Sequence, residues 1–343
     1  MAARPRLVHR LGVRVMELER PGPAETRPLR EAARECSPPG PGEVSIRVEA
    51  CGVCRTDLHL VEGDLAPRRP RIVPGHEVVG RVEARGEGVE LALGSRVGIP
   101  WLRASCGECR FCRSHRENLC LAPAFTGWHA DGGYAERCTA LADFVHPLPE
   151  QASACELAPL LCAGIIGYRA LLRSGVAPGG RLGLFGFGGS AHIALQVAHH
   201  LGCEVHVFTR GGPHRELAEE LGADWVGRAG ERPPHPLDAA ILFAPVGELV
   251  PAALSTLDRG AVLAIAGIHL TEIPPLDYQR HLFEERELRS VTANTREDAR
   301  ALLELAREIP IRTHTVSYPL EQANQALMDL KADRIRGAAV LEP

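Results

Sequence analysis

The sequence predicts an α/β protein in two parts, a β-rich strand-and-loop domain followed by a doubly wound parallel sheet covered by helices. Three observations predict it. Up to Glu156 the chain carries short alternating apolar–polar runs broken by Gly and Pro. Beyond Glu156 helix and strand signals alternate. One of those strands runs directly into a Gly-x-Gly-x-x-Ala turn that opens a helix. A length of 343 residues suits two domains better than one.

In chain order, Val13–Leu18 is a β-like run, and Ser37–Gly42 (Ser-Pro-Pro-Gly-Pro-Gly) is a loop. Val44–Ala50 alternates as a half-buried strand, and Val78–Glu83 and Ser95–Ile99 continue the β character. Ala158–Leu172 reads as one helix. Then come strand Arg181–Phe185, helix Ala191–Leu201, strand Glu204–Phe208, helix His214–Leu221 and the buried strands Asp238–Phe243 and Ala261–Ala266. Such alternation implies a parallel sheet buried on both faces. Arg289–Thr292 precedes a helix, Glu297–Glu308, and the tail from Pro310 returns to strand-like pieces around a helix at Leu320–Leu330.

Composition excludes several functions. Lys+Arg number 39 against 43 Asp+Glu, a formal charge of −4, with no basic block, so nucleic acid is not the expected partner. The longest apolar run, Leu237–Gly247, is strand-sized and falls short of the ~20 residues that span a bilayer. Lys331 is the one lysine, which leaves Schiff-base and pyridoxal chemistry little to work with. The 11 cysteines are odd in number and clustered, which points to metal ligation in a reducing, cytoplasmic setting and not to a disulfide frame. The Arg-rich, acid-poor start Met1–Arg10 reads as a short extension in preference to a transit peptide.

Leu182-Gly-Leu-Phe-Gly186-Phe-Gly188-Gly189-Ser-Ala191 places Gly186 where the turn is tight and Gly188 where a pyrophosphate approaches the backbone. Gly189 follows in the same turn, Ala191 allows close helix-on-strand packing, and the N-terminal N–H groups and positive dipole of the helix suit an anion. The next strand ends Phe208-Thr209-Arg210-Gly211 with no carboxylate for a ribose 2′-hydroxyl. A hydroxyl and a guanidinium suit a 2′-phosphate, so NADP(H) is expected over NAD(H). The alternative is an Arg210 that stacks on adenine or faces water.

Two cysteine sets invite metal. Cys106, Cys109, Cys112 and Cys120 lie in one short loop, where four thiolates would repel without a cation. Tetrahedral Zn2+ with sulfurs at ~2.3 Å answers that, an Fe–S cluster being second choice. Cys54 (in Cys51-Gly-Val-Cys54-Arg55-Thr56-Asp57-Leu-His59), His76 (in Gly75-His76-Glu77) and Cys162 are dispersed. Two sulfurs and a nitrogen leave one coordination position open, as a catalytic zinc requires, though each residue alone reads as structural.

Taken with Asp131-Gly-Gly-Tyr-Ala-Glu136, these motifs, in this order, resemble the zinc-dependent alcohol dehydrogenases of the medium-chain dehydrogenase/reductase superfamily, from about Val13 to the C-terminus. The resemblance implies a GroES-like β-rich catalytic domain, residues 1–157 and 293–343, with two zinc sites, and an inserted Rossmann dinucleotide-binding domain, residues 158–292. It implies Cys54, His76 and Cys162 as ligands of a catalytic Zn2+, with Glu77 either the fourth ligand or behind it, and structural Zn2+ on the four-cysteine loop. Asp57 would orient His76, Thr56 would relay the substrate proton and His59 would accept it through the cofactor ribose. Arg55 would contact the pyrophosphate, and Trp101 and Trp128 would wall the substrate pocket. Relatives are homodimers or homotetramers. The expected reaction is reversible oxidation of a primary or secondary alcohol to aldehyde or ketone by hydride transfer to NAD(P)+. The competing readings are a cinnamyl-type aldehyde reductase or polyol dehydrogenase on the same site, and a catalytically silent dinucleotide-binding protein.

Overall fold

The computed structural model describes residues 12–35 and 37–343, so the Met1–Arg10 extension and Cys36 lie outside the described residues. The mixed sheet built from the first part of the chain and its tail has seven strands. In order across it lie Thr315–Pro319, Ala338–Glu342, Glu43–Val53, Val78–Arg85, Arg96–Ile99 and His146–Pro147, with Arg137–Leu141 also pairing to Glu43–Val53. Strands from the C-terminal tail thus complete a sheet begun near the N-terminus: Ala339 pairs with Val53 and Leu341 with Cys51. The pleat explains the sequence pattern. Val44, Ile46 and Val48 point into one core with Val78 and Val82, while Arg47 faces out.

The second sheet has six strands, all parallel: Trp225–Gly227, Glu204–Phe208, Arg181–Phe185, Leu237–Leu242, Leu257–Ile265 and Glu287–Ser290. In chain order these are the third, second, first, fourth, fifth and sixth strands, the doubly wound arrangement, whose order reverses at Arg181–Phe185. That reversal puts a crevice at the carboxyl end of this strand. Helix Gly189–His200 covers one face, burying Ala191, Ala194, Leu195, Val197 and Ala198 against Leu184, Val205 and Val207. Phe185 and Phe208 stack on the other face, with ring centroids 4.1 Å apart.

The expected continuous helix over 158–172 is corrected by the structure. A 3-10 turn, Ala158–Leu161, and an α-helix, Ala163–Ser174, meet at Cys162, whose φ of −132° and ψ of −67° are not helical. The apolar pattern carries no sign of this break because both pieces are buried. Its consequence is to turn the Cys162 side chain off the helix and toward the site described next.

Candidate metal and dinucleotide sites

Cys54 stands at the start of helix Arg55–Glu62 and serves as its N-cap. Its Sγ accepts from Thr56 N at 3.3 Å, and its own N–H donates to Asp57 Oδ2 at 3.0 Å, a reciprocal capping box built with sulfur. Asp57, 2% exposed, uses Oδ1 to accept from Gly75 N at 3.1 Å and from His76 Nδ1 at 3.2 Å. A carboxylate only accepts, so Nδ1 carries the proton and Nε2 offers its lone pair, 3.2 Å from Cys54 Sγ. Gly75 takes φ +95°, and a side chain there would meet the Tyr134 ring and Cys51.

The ligand atoms of Cys54, His76, Glu77 and Cys162 all lie within 4.8 Å of one another. Sequence separations of up to 108 residues are therefore closed by the fold. The protons of this pocket are crowded. The hydrogen bond from Cys162 and the His76 charge hold the Cys54 thiol well below its ordinary value, while the same bond and burial push Cys162 well up. Burial pulls His76 down, but Asp57 and Cys54 outweigh it and leave its pKa raised. Burial and the Cys54 charge push Glu77 well up, and its Oε1 is buried without a hydrogen-bond partner. Two sulfurs, an imidazole with its lone pair directed by Asp57, and an orphaned carboxylate oxygen form a donor set that fits Zn2+.

The four-cysteine loop closes the same way. Cys106, Cys109, Cys112 and Cys120 bring their Sγ atoms within 4.8 Å, with Cys106 to Cys120 at 3.4 Å and Cys109 to Cys112 at 3.5 Å. Backbone N–H groups of Cys106, Cys109 and Ala122 aim at sulfur, at 3.2 to 3.4 Å. Hydrogen bonds from Cys112 and Leu121 bring the Cys109 thiol down to about 6, and burial takes Cys112 up to about 11. A thiolate stabilised in this way is ready for a cation.

At the sheet crevice Gly186 takes φ +89°, and a side chain on it would press on Ala244. Gly188 precedes helix Gly189–His200, which has no side-chain cap, and a Cβ on Gly188 would enter open space. Uncapped N–H groups in front of open space fit a phosphate. Thr209 N donates to Gly227 O at 2.9 Å, and Arg210 follows it with its side chain 93% exposed. Arg55 and Arg210 both reach Asp333.

Thr56 lies on the first turn after Cys54. His59 lies one turn further, its Nδ1 donating to Asp64 Oδ2 at 2.9 Å and its ring 5.3 Å from that of His269. Trp101 stacks on Phe125 at 4.2 Å and lies 6.2 Å from the His76 ring; Trp128, 6.3 Å from Trp101, donates Nε1–H to Ala66 O. Sequence reasoning missed Asp64, His269, Phe125 and Asp333. None sits in a motif, and only the fold brings them near.

Residues 40–150 match the family model of the alcohol dehydrogenase GroES-like domain, and residues 189–308 match that of the zinc-binding dehydrogenases. The chain is 59% identical over 331 residues to a probable alcohol dehydrogenase AdhA of Mycobacterium tuberculosis, covering 95% of this chain and 96% of that one. It is 37% identical to an alcohol dehydrogenase of Geobacillus stearothermophilus, over 88% and 92% of the two chains. A thermostable alcohol dehydrogenase from Pyrobaculum aerophilum, solved with cobalt and zinc bound, superposes with a TM-score of 0.88 at 27% identity, covering 96% of this chain and 99% of that one. With both family models matched, the same fold and a relative at 59% identity, the chain belongs to the zinc-type alcohol dehydrogenases of the medium-chain dehydrogenase/reductase superfamily.

Proposed function

We propose that the protein catalyses zinc-dependent, NAD(P)-linked, reversible oxidation of a primary or secondary alcohol to an aldehyde or ketone. The observation that carries this reading is the convergence of Cys54, His76 and Cys162, from three distant segments, within reach of a single ion. These residues, with Glu77 beside them, would hold a catalytic zinc, which when bound would supply Lewis acidity toward the substrate oxygen, and a bound nicotinamide would supply the hydride acceptor. The four-cysteine loop would hold a second, structural zinc.

The chain's own groups set up the rest. Asp57 keeps the proton on His76 Nδ1 and so keeps Nε2 free to ligate. Thr56 Oγ1, on the first helical turn, passes the substrate proton on; a hydroxyl neither holds nor loses a proton readily near neutral pH, so it relays. His59 is the acceptor. Its Nδ1–H is engaged by Asp64, which leaves Nε2 as the nitrogen that takes the proton. The Trp101–Phe125 stack forms an apolar wall near His76 and keeps water from the reacting carbon.

Gly186, Gly188 and Gly189 would cradle the dinucleotide pyrophosphate together with Arg55. On Thr209 and Arg210 alone NADP(H) is favoured over NAD(H); the ion pair of Arg210 with Asp333 weighs against it. We read residues 1–157 and 293–343 as the catalytic domain and 158–292 as the cofactor domain, with helix Arg296–Glu308 at the seam, since its Ala299 and Leu302 join the core of the parallel sheet. Tyr278, Phe283 and Leu288, 60%, 56% and 36% exposed, lie at or near the edge strand Glu287–Ser290 and support pairing of subunits there, as a homodimer or within a homotetramer. Among the described residues no single helix is long and apolar enough to cross a membrane. A cytoplasmic site of action follows from the reduced cysteines the two zinc sites need. Initial rates on a panel of alcohols and aldehydes, with both nicotinamides and with metal content measured alongside, test the reading and separate it from aldehyde reduction and polyol oxidation.

A further inference from the structure

The strand Glu204–Phe208 ends without a carboxylate, yet a carboxylate reaches that strand end from elsewhere in the chain. Asp333 lies 123 residues beyond Arg210 and 278 beyond Arg55. Its Oδ2 accepts a hydrogen bond from Arg210 Nη2 at 2.8 Å, and its Oδ1 accepts one from Arg55 Nη2 at 2.6 Å. One side chain thus joins the residue after Cys54 to the loop after the second strand of the cofactor sheet.

The local backbone is shaped for this contact. Asp333 takes φ +52°, in the left-handed region that costs an L-residue energy and that Asp and Asn tolerate best. Gly211 and Gly212, at φ +119° and +61°, set the turn that presents Arg210. His214, on the first turn of helix Pro213–Glu220, is near enough to feel the charges of Asp333, Arg210 and Arg55. The Nδ1 of His214 is buried without a partner.

We propose that Asp333 is a specificity-determining residue that selects NAD(H) over NADP(H) by holding Arg210 and by presenting its own carboxylate at the adenosine ribose. The proposal rests on the dinucleotide reading of the Gly186–Gly189 turn. Two guanidiniums spanned by one anion form a phosphate-like arrangement that is already filled. A dianionic 2′-phosphate arriving at Arg210 has to expel the carboxylate or lie against it, like charge beside like charge. The neutral 2′-hydroxyl of NAD(H) meets no such conflict, because a carboxylate is the acceptor that hydroxyl requires. The pyrophosphate is common to both cofactors. Any effect of Asp333 through Arg55 therefore acts on both alike and cancels in their ratio, whereas the effect through Arg210 does not.

The test is direct binding of NADH and NADPH, followed by nicotinamide fluorescence, to the wild-type enzyme, to Asp333→Asn and to Asp333→Asn/Arg210→Ala. Asn keeps the shape and the tolerance for positive φ while removing the charge. Wild-type enzyme is expected to bind NADH the tighter. In Asp333→Asn the Kd for NADPH should fall about ten-fold or more while that for NADH rises or stays level, and adding Arg210→Ala should remove the NADPH gain. The proposal is overturned if both cofactors shift by the same factor, if NADPH binding is unmoved or weakened, or if the wild type prefers NADPH. Should the wild type bind neither cofactor, the dinucleotide reading itself fails and the proposal falls with it; a wild type that binds NADH with a ratio unmoved by Asp333→Asn sinks the Asp333 assignment alone.

Discussion

Asp57 shows how much one buried carboxylate can organise. It caps the helix that carries Cys54, fixes the backbone of Gly75 and sets the tautomer of His76. Asp57→Asn leaves one acceptor oxygen to serve donors on both sides, Cys54 N on one and Gly75 N and His76 Nδ1 on the other, so the cap and the charged hold on His76 are not both kept. Zinc affinity at this site is expected to drop about 10- to 100-fold, read by competition with a chromophoric chelator; unchanged affinity would mean that the ring is held by packing alone. Gly52 carries a different constraint. Any side chain there would run into the carboxylate of Glu77. Gly52→Ala is expected to cost about 1–3 kcal/mol in denaturant unfolding, because Glu77 has to leave its buried position or the strand has to shift. At this scale the residues that converge were legible, since Cys54, His76 and Glu77 sit in short motifs. The partners Asp64, Asp333 and His269 were not, because a long-range contact leaves no trace in local residue order.

Among the elements, the four-cysteine loop is tied to the body of the protein by more than sulfur. Glu117 accepts from Arg296 through Nε and Nη2, the latter at 2.8 Å, and Asn118 donates to Thr292 O at 2.9 Å. Burial alone would raise Glu117, yet the Arg296 hydrogen bonds hold its carboxyl below the ordinary range. Stripping the metal from the loop should therefore loosen both the loop and its grip on helix Arg296–Glu308. Cys109→Ser is expected to remove one zinc per chain and lower the Tm while the other zinc stays bound; loss of both ions together would show that the sites are not independent. The N-terminus of that helix is a capping box, with Thr295 Oγ1 accepting from Asp298 N at 3.1 Å and Asp298 Oδ2 accepting from Thr295 N at 2.7 Å. Thr295→Ala should cost about 1 kcal/mol of stability in a denaturant titration. Strands such as Val13–Leu18, Arg181–Phe185 and Glu204–Phe208 were readable to the residue, because alternation or a short β-branched run ends at Gly, Pro or a polar turn. The break at Cys162 was hidden, since Leu160, Leu161, Ala163 and Ile165 are all buried and continue one apolar pattern.

For the whole molecule, buried neutral histidines make stability depend on pH. Burial, with Arg300 and Arg296 adding to it, pushes His146 down to about 4, and burial does the same to His192, also to about 4. In the unfolded chain both return to about 6.5. Between those values the unfolded state binds more protons than the folded one, so stability is complete above pH ~6.5 and falls as pH drops toward ~4. Each histidine accounts for at most about 3 kcal/mol of that loss. His146→Leu should flatten the fall, seen as a smaller difference between denaturation midpoints at pH ~7 and pH ~4.5; an identical slope in wild type and variant would contradict this. The two-sheet architecture itself was legible, because a doubly wound sheet and a strand-and-loop domain differ in the period of their apolar residues. How the two meet, through Arg55, Asp333 and Arg210, was not, because it depends on tertiary placement of surface charges.

The proposed reaction requires Cys54, His76 and Cys162 to act together on one zinc ion beside the nicotinamide. The most direct measurement is the rate of nicotinamide reduction by a primary alcohol in wild-type and Cys54→Ala enzyme, before chelation, after chelation and after zinc is restored. The expected result is loss of turnover in the stripped wild type, recovery on adding Zn2+, and no recoverable turnover in Cys54→Ala. A folded Cys54→Ala enzyme that turns over at the wild-type rate would contradict the account.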